Sequence, residues 1–252
     1  AVRVKKRILK ALKGDIFMNI ALIVAGGSGA RMGQDVPKQF LCVDNKPIII
    51  YTLERFSACE KIDKICVVCL KGWETVVEAY VRQFNIHKLA LVTTGGENRM
   101  LSIYNGLLAL KSIAADDDII LISDANRPLI SDEIIEDAIA KCTQYGAAVG
   151  VMPCYDSMYA CTDKPLVSKC LNRNEIYHGM GPETLSYKTA RRLIERLVQE
   201  KRFDLNTIDM LLENHLPVAL SKSNSKHIKL TTVEDIEIFK ALLKAEKYNW
   251  LK

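Results

Sequence analysis

The chain has 252 residues, of which 49% are hydrophobic and 26% are charged, and its mean hydropathy is +0.04. This is the composition of an ordinary globular protein, and it excludes a disordered, collagen-like or coiled-coil chain. A membrane helix needs about 20 consecutive apolar residues, and no apolar run approaches that length, so we expect no membrane span. The length suits one large α/β domain or two small ones.

The net charge of +5 comes from the beginning of the chain. Residues 1–17 contain six basic residues and one acidic residue, Asp15, so the remaining chain is neutral. A neutral body excludes the broad basic surface of a nucleic-acid-binding protein. We interpret residues 1–17 as a basic extension that precedes one domain over residues 18–252. The alternative is a weak contact between this extension and an anionic surface.

Eight cysteines are spread along the chain, too sparsely for a disulfide scaffold. Cys66 and Cys69 form a C-x-x-C pair inside an apolar, β-branched run. A zinc site needs a second ligand pair, and a thioredoxin-like site needs the motif at the start of a helix. In a strand, residues three apart point to opposite faces. We therefore expect buried structural thiols, and reduced thiols favour a cytoplasmic protein.

Strand-like apolar runs alternate with segments of helical periodicity. In chain order, we predict a strand over Asn19–Ala25, a helix from Pro47, a strand over Ile62–Leu70, a helix over Trp73–Phe84 and a strand over Leu89–Val92. Next come a helix over Arg99–Ile113, a strand over Asp118–Ser123, a helix capped by Ser131 and a strand over Ala147–Met152. This alternation predicts a mostly parallel sheet with helices on both faces. Ligands of such sheets lie beyond the carboxyl ends of the strands.

Residues 153–186 interrupt this alternation with prolines, glycines and short β-like pieces. We interpret this segment as an excursion that forms a β-arm. A helix then begins at Tyr187, a strand is predicted around Ile228–Leu230, and a final helix runs from Val233 to about Lys247.

The strongest functional motif is Ala25-Gly-Gly-Ser-Gly-Ala-Arg-Met-Gly33, followed by Pro37-Lys38-Gln39. Three glycines after a buried strand let backbone N–H groups surround phosphate oxygens without obstruction by Cβ atoms. The motif is not a P-loop, because Gly-Lys-Ser/Thr is absent, and Met32 replaces the last glycine of a dinucleotide fingerprint. Arg31 and Lys38 supply two cations that would stabilise charge growing on a triphosphate. The alternative is a glycine turn with two solvated cations.

A second motif, Gly95-Gly96, precedes a polar helix start that contains Arg99 and Ser102. Two glycines before a helix N-terminus are suited to a nucleobase wall and a phosphate contact. A Gly-Gly turn is a weak signal when it stands alone, because most such turns only reverse the chain.

A third motif places Asp124 at the end of an apolar strand and Arg127 three residues later. A carboxylate at this edge of a sheet can hold Mg²⁺ that bridges phosphates, and an arginine can bind an anionic substrate through two hydrogen bonds. A purely structural Asp–Arg ion pair is the alternative.

Together these motifs resemble the methylerythritol-phosphate and ribitol-phosphate cytidylyltransferases. The resemblance extends over roughly residues 19–246 and includes Ile228-Lys229-Leu-Thr-Thr, followed by Glu234-Asp235. It implies a Rossmann-like nucleotidyltransferase domain that transfers CMP from CTP to a polyol phosphate and releases pyrophosphate. The acceptor would belong to the ribitol 5-phosphate or 2-C-methyl-D-erythritol 4-phosphate class, in cell-wall, capsule or isoprenoid biosynthesis.

The resemblance also implies roles for individual residues. Arg31 and Lys38 would be catalytic, and Asp124 would hold Mg²⁺. The implied nucleotide-binding residues are Ala25, Gly26, Gly27, Gly29, Gly96, Arg99 and Ser102. The implied acceptor-binding residues are Arg127, Ser157, Arg173 and Lys229. In the family the arm crosses to a second subunit, so Ser157 and Arg173 would serve the partner's site in a homodimer.

Four departures from the family pattern lie towards the acceptor. Ser123 replaces a histidine, Asn126 replaces alanine or valine, Tyr159 replaces the arm lysine, and Met180-Gly-Pro-Glu183 replaces Gln-Thr-Pro-Gln. They leave two alternatives open: a nucleotidyltransferase for another sugar phosphate, or a nucleotide-binding regulator that has lost turnover. The run Arg173-Asn-Glu-Ile-Tyr-His-Gly179 favours the ribitol-phosphate branch. An acceptor phosphate is already anionic, so no histidine is assigned as a general base.

Overall fold

A seven-stranded mixed sheet forms the centre of the structure, a computed structural model that describes residues 17–27 and 36–248. The strands are β1 (Asn19–Ala25), β2 (Cys42–Val43), β3 (Lys46–Pro47), β4 (Lys64–Cys69), β5 (Leu89–Thr94), β6 (Ile119–Asp124), β7 (Ala147–Pro153), β8 (Met158–Ala160), β9 (Lys169–Leu171), β10 (Tyr177–Ser186) and β11 (Ala219–Lys222). The helices are α1 (Ile48–Ala58), α2 (Glu74–Gln83), α3 (Arg99–Ala109), α4 (Asp132–Tyr145), α5 (Tyr187–Gln199), α6 (Thr207–Glu213) and α7 (Val233–Tyr248). The predicted basic extension lies outside the described residues except for Phe17.

The strand order in the central sheet is β11-β7-β10-β6-β1-β4-β5. Strands β6, β1, β4 and β5 are mutually parallel, whereas β10 runs antiparallel to both β6 and β7. The carboxyl ends of β1, β4 and β6 therefore meet at one edge of the sheet, with Val24 opposite Asp124 in the register. This confirms the predicted α/β class, and it brings the three polar motifs to the same edge.

Each face of the sheet carries its own hydrophobic core, because successive strand side chains point to opposite faces. One core joins alternate residues of β1 and β6 to α1, α2 and α4. The other joins the remaining residues of these strands to α3, α5 and α6. A third, smaller core packs Phe239 of the last helix against Leu230 and Leu129. This small core anchors the chain just after Lys229.

Two sequence predictions about elements are wrong in part. Residues 228–230 form no strand. The last strand of the chain is instead β11, which was not predicted and which pairs in parallel with β7. The excursion predicted for residues 153–186 is also too long, because residues 177–186 return as the central strand β10. The glycines and the proline of this segment are typical of a turn and not of a strand. They lie at an irregularity in the register of β10 between Gly179 and Glu183. The predicted arm is therefore confined to residues 154–176, with the β8–β9 hairpin inside it.

The two cysteines of the C-x-x-C pair are buried, as predicted for structural thiols. Cys66 and Cys69 are fully buried and belong to the two opposite cores of the sheet. Burial raises the pKa of each thiol to about 12, so neither is a thiolate at neutral pH. All eight cysteines are unbridged.

Ser131 lies at the N-cap position of α4, as predicted, but its hydroxyl makes no capping hydrogen bond. No helix within residues 17–27 and 36–248 has the length and apolar character that crossing a bilayer requires.

Candidate active site

Two adjoining cavities lie at the carboxyl ends of the strands. The first, here called the nucleotide cavity, has a volume of about 510 Å³. The second, the acceptor cavity, has a volume of about 520 Å³. Arg99, Asp124 and Lys229 line both cavities and form the boundary between them.

The nucleotide cavity collects the residues that were predicted to bind the nucleotide. It is lined by Ala25, Gly26, Gly27, Gly96, Arg99 and Ser102, together with Lys38. The predicted Gly29 and Arg31 lie outside the described residues. The first and second motifs, 70 residues apart in sequence, therefore form one site because β1 and β5 end on either side of β4.

Ser102 lies between the two glycine motifs. Its hydroxyl donates to the Asn98 carbonyl at 2.9 Å and accepts from the Gly96 N–H at 3.1 Å. A Cβ at Gly26 would lie 3.0 Å from this hydroxyl, and a Cβ at Gly95 would lie 2.9 Å from it. Glycine is required here because the serine occupies the space that side chains would need.

Gln39 is a site residue to which sequence analysis assigned no role. Its side chain is buried, and Nε2 donates to the carbonyls of Ala25 at 2.7 Å and Gly27 at 3.0 Å. These bonds fix the beginning of the glycine loop against the short 3₁₀ turn that carries Lys38. The only signal in the sequence was its position directly after Pro37-Lys38.

The α3 helix points its N-terminus at the nucleotide cavity. Asn98 caps this helix by accepting from the Leu101 N–H at 2.9 Å, and both Asn98 and Arg99 line the cavity. The partial positive charge of a helix N-terminus favours phosphate groups nearby. A Cβ at Gly96 would lie 2.3 Å from the Cβ of Leu101, so a side chain there would displace the start of the helix.

Asp124 lies in the middle of three cations. Lys229 Nζ is 2.8 Å from Oδ2, Arg127 Nε is 3.5 Å from Oδ2, and Arg99 Nε is 3.6 Å from Oδ1. Burial alone would raise the pKa of Asp124, but attraction by Lys229, Arg99 and Arg127 outweighs it and holds this pKa at about 2. The carboxylate is therefore ionised at any physiological pH.

Lys229 reaches Asp124 because the irregular segment around it is bound to the loop after β6. The Asn126 side chain donates to the Leu230 carbonyl, and the Leu230 N–H donates back to the Asn126 carbonyl at 2.9 Å. Arg127 Nη1 donates to the His227 carbonyl at 2.9 Å. The predicted strand is unnecessary, since these bonds satisfy the backbone that a sheet would otherwise pair.

His227 is the only one of the four histidines buried next to this site, and its ring is neutral. Burial, together with the nearby positive charge of Arg127, lowers its pKa to about 3. Its Nδ1 lies 3.1 Å from the Ser223 hydroxyl. The sequence analysis assigned no catalytic role to a histidine, and that assignment stays a prediction.

The acceptor cavity has an apolar floor and a charged rim. Arg99, Asp124, Arg127 and Lys229 form its charged boundary, and Glu183 enters from β10. Glu183 was noted in the sequence only as a departure from the family pattern. The floor consists of sheet residues Ile122, Val149, Val151 and Leu220.

The two predicted arm residues are not brought to this cavity within the chain. Ser157 is exposed on the arm. Arg173 donates through Nη1 to the Tyr155 carbonyl at 2.9 Å and lines a separate hollow of about 310 Å³. Their service to a partner's site stays a prediction.

The comparison with known families decides the assignment. The family model described as IspD, 2-C-methyl-D-erythritol 4-phosphate cytidylyltransferase, matches residues 19–245. The chain belongs to the IspD family. This confirms the resemblance drawn from the three motifs, and the matched range includes every described residue that lines the nucleotide cavity.

Similar sequences within the family carry two different names. A ribitol-5-phosphate cytidylyltransferase of Lacticaseibacillus paracasei is 34% identical over 236 residues, which are 91% of this chain and 100% of that protein. A 2-C-methyl-D-erythritol 4-phosphate cytidylyltransferase of Clostridium botulinum strain Langeland is 36% identical over 227 residues, 89% of this chain and 97% of that protein. Both branches are thus about equally similar to the chain.

Solved structures agree with this fold. The 4-diphosphocytidyl-2C-methyl-D-erythritol synthase of Anaerococcus prevotii has a TM-score of 0.78 at 24% identity and covers 90% of this chain and 96% of its own. The 2-C-methyl-D-erythritol 4-phosphate cytidylyltransferase of Francisella tularensis has a TM-score of 0.74 at 24% identity, with coverage of 89% and 99%. These likenesses establish an IspD-like nucleotidyltransferase fold.

Proposed function

We propose that this IspD-family chain transfers CMP from CTP to the phosphate of a polyol monophosphate and releases pyrophosphate. The observation that carries the proposal is the shared boundary of the two cavities at Asp124, Arg99 and Lys229. A triphosphate in one cavity and a phosphate in the other would meet there. An acceptor phosphate oxygen would bond to the α-phosphorus while the bond from that phosphorus to the pyrophosphate oxygen breaks.

The reaction needs charge stabilisation rather than proton transfer. The attacking phosphate oxygen is already anionic, and pyrophosphate leaves as an anion, so the chain has to position both groups and neutralise growing charge. Lys38 lines the nucleotide cavity, and it is proposed to supply this stabilisation together with Arg31. Lys229 lies at the boundary, where it can approach either phosphate.

The donor set fits a magnesium ion shared with the substrate. Mg²⁺ is usually held by one or two carboxylates together with substrate phosphates. Asp124 is one ionised carboxylate at the cavity boundary, and the described residues contain no cluster of three acidic, His or Cys side chains that would hold an ion by themselves. Asp124 would hold the ion, which would neutralise triphosphate charge when bound.

The acceptor phosphate is proposed to bind Arg127 and Lys229. Arg127 is 8% exposed. Its Nε pairs with Asp124, and its Nη1 donates to the His227 carbonyl. A guanidinium has five N–H donors, so donors are left for a phosphate. These fixed contacts orient the guanidinium before substrate arrives, which lowers the entropy cost of binding.

Ribitol 5-phosphate is proposed as the acceptor. The run Arg173-Asn-Glu-Ile-Tyr-His-Gly179 resembles the ribitol-phosphate branch, and the relative of L. paracasei that carries this name is matched over its whole length. The second candidate is 2-C-methyl-D-erythritol 4-phosphate, which is favoured by the relatives of C. botulinum. The eight unbridged cysteines support a reducing cytoplasmic location for either reaction.

Pyrophosphate release over a panel of nucleotides and acceptors tests the proposal. We expect release only with CTP plus a polyol phosphate, with a CDP-polyol detected by mass spectrometry, and the highest kcat/KM with ribitol 5-phosphate. Turnover with a sugar 1-phosphate instead would identify a different nucleotidyltransferase. CTP binding without product from any acceptor would identify a regulator.

A homodimer that shares its arms is proposed as the active form. If Arg173 acts in the partner's site, mixing Arg173→Ala protein with Lys38→Ala protein gives heterodimers in which one site has both residues. We expect partial recovery of activity after subunit exchange. A mixture of Arg127→Ala and Lys38→Ala proteins is the matched control, since each site there lacks one residue of its own chain. Equal activity in both mixtures would remove Arg173 from the partner's site.

A further inference from the structure

Glu183 carries a carboxylate oxygen that nothing in the described chain satisfies. The residue lies on β10, where it pairs in register with Ile122 of β6 and Val149 of β7. Its Oε1 accepts from Arg99 Nη2 at 3.1 Å. Its Oε2 is buried and has no hydrogen-bond partner among the described residues.

The described side chains around Glu183 place no donor on Oε2. Ile122, Val149 and Val151 form the nearby cavity floor and have no polar side-chain atoms. The α6 helix faces the cavity through Asn206 and Asp209, whose side-chain oxygens form a capping box with the helix backbone, and neither side chain donates to Oε2. A carboxylate can only accept hydrogen bonds, and a hydroxyl of a molecule in the cavity can supply the donor that Oε2 lacks.

The charges around the cavity also distinguish its two ends. Arg127 and Lys229 lie on the side of Asp124, where a phosphate would be attracted. Glu183 lies on the other side of Arg99, whose Nε faces Asp124 and whose Nη2 binds Glu183. A second anionic group beside Glu183 would be repelled, and it would have little water to screen it.

We infer that Glu183 selects the acceptor: Oε2 accepts a hydrogen bond from a hydroxyl of the polyol chain, and its charge rejects acceptors that carry a second anionic group. The inference rests on the proposed transfer to a polyol phosphate and deepens it. It restricts the substrate class to polyol monophosphates whose phosphate is the only anionic group, bound with the phosphate towards Lys229 and the uncharged hydroxyl chain towards Glu183. An unpaired buried acceptor is costly, so a substrate that lacks the matching hydroxyl is bound poorly.

The test compares wild type with Glu183→Gln and Glu183→Ala on three kinds of acceptor: ribitol 5-phosphate, its monodeoxy analogues, and a phosphorylated sugar acid of the same length. For wild type we expect one deoxy analogue to lose at least about tenfold in kcat/KM, the scale of a hydrogen bond to a charged group. Glu183→Ala should abolish this discrimination. Glu183→Gln should gain about tenfold or more for the sugar acid relative to ribitol 5-phosphate, because it removes the charge and keeps the shape.

Two controls separate recognition from folding and from the nucleotide. Glu200→Gln removes another arginine-paired carboxylate, at 2.7 Å from Arg196 on the surface, and should leave all ratios unchanged. Glu183→Gln retains an oxygen for Arg99, so the KM for CTP should stay within about threefold of wild type.

Unchanged acceptor ratios in both variants, with a raised KM for CTP, would overturn the inference and leave Glu183 as a residue that only positions Arg99. If Glu183→Ala does not fold, Glu183→Gln alone tests the inference, through its kcat/KM for the phosphorylated sugar acid relative to ribitol 5-phosphate. Failure of the proposed function has a different signature, since wild type would then release no pyrophosphate with any polyol phosphate.

Discussion

The nucleotide cavity and the acceptor cavity are built from different parts of the chain. Backbone forms much of the nucleotide cavity, where Gln39 binds the first glycine motif and Ser102 binds the second. The acceptor cavity depends on charged side chains from distant segments, such as Arg127, Glu183 and Lys229. A backbone cradle requires glycine at fixed positions, whereas a side-chain site can change its chemistry one residue at a time. The departures from the family pattern, all expected towards the acceptor, follow this division only in part: Ser123, Met180 and Glu183 line the acceptor cavity, whereas Asn126 lines the nucleotide cavity and Tyr159 is exposed on the arm.

The largest expected effect is at Lys38 in the nucleotide cavity. Lys38→Ala should lower kcat by about 10² or more, because it removes a preorganised positive charge where negative charge grows. Steady-state kinetics with CTP and the acceptor measure this loss.

The control for this prediction is Lys188→Ala. It removes a surface lysine that pairs with Asp116 at 2.8 Å, and it should leave kcat within about threefold of wild type. A Lys38→Ala enzyme that also stays within threefold would show that its charge does not act in the reaction.

A second pair of variants tests whether the two cavities are functionally separate. Arg127 lines only the acceptor cavity, whereas Lys229 lines both. Losing a charge-assisted bond to phosphate costs about 1.5–3 kcal/mol, or roughly 10–100-fold in KM. Arg127→Ala should raise the KM for the acceptor alone, and Lys229→Ala should raise the KM for both substrates. Identical effects of the two variants on CTP would contradict the assignment of Lys229 to the boundary.

A smaller effect is expected at Asn126, which acts on Lys229 through the backbone. Asn126→Ala removes one hydrogen bond to Leu230 and keeps the return bond from the Leu230 N–H. A single neutral hydrogen bond contributes about 1 kcal/mol, so we expect roughly a fivefold loss of kcat/KM for the acceptor. Asn126→Asp keeps the size of the side chain but offers only acceptors to the Leu230 carbonyl, and it should not restore the loss.

A further effect concerns stability rather than turnover. The pKa of His227 is about 3 in the folded chain against 6.5 for an ordinary histidine. The unfolded chain therefore binds a proton between these values when the folded chain does not, so stability falls as the pH drops from 6.5 towards 3, by up to about 1.4 kcal/mol per unit. His227→Gln should flatten this slope. Urea unfolding at pH 7, 5.5 and 4.5 measures it, and parallel slopes for both proteins would exclude His227 as the cause.

The contribution of Asp124 to stability changes over a lower pH range than that of His227. Its folded pKa of about 2 lies below the ordinary value of 3.8, so its contribution is complete above pH 3.8 and is lost between 3.8 and 2. Measurements above pH 4.5 therefore lie outside the range in which the contribution of Asp124 changes.

The sequence predicted the parts of the molecule whose residues act locally. Alternating apolar runs and helical periods predicted the parallel strands, and the glycine motifs predicted the nucleotide cavity. The prediction failed where local signals conflict with pairing. In β10, Gly179, Gly181 and Pro182 signal a turn, yet the strand forms because β6 and β7 pair with it on both sides. Around Lys229, an apolar run predicted a strand, but hydrogen bonds to Asn126 and Arg127 hold it in irregular form.

Sequence by itself thus determined the fold class and the family, because the periodicity of its elements and the combined set of motifs are local features of the chain. Only the tertiary structure decided which charges share a boundary. Asp124, Arg99, Lys229 and Glu183 come from four separate segments, and their ion pairs depend on strand order and on the path of the chain after β11. The sequence also could not predict that one carboxylate oxygen of Glu183 lacks a hydrogen-bond partner, because the partners of a carboxylate are residues that are distant in sequence.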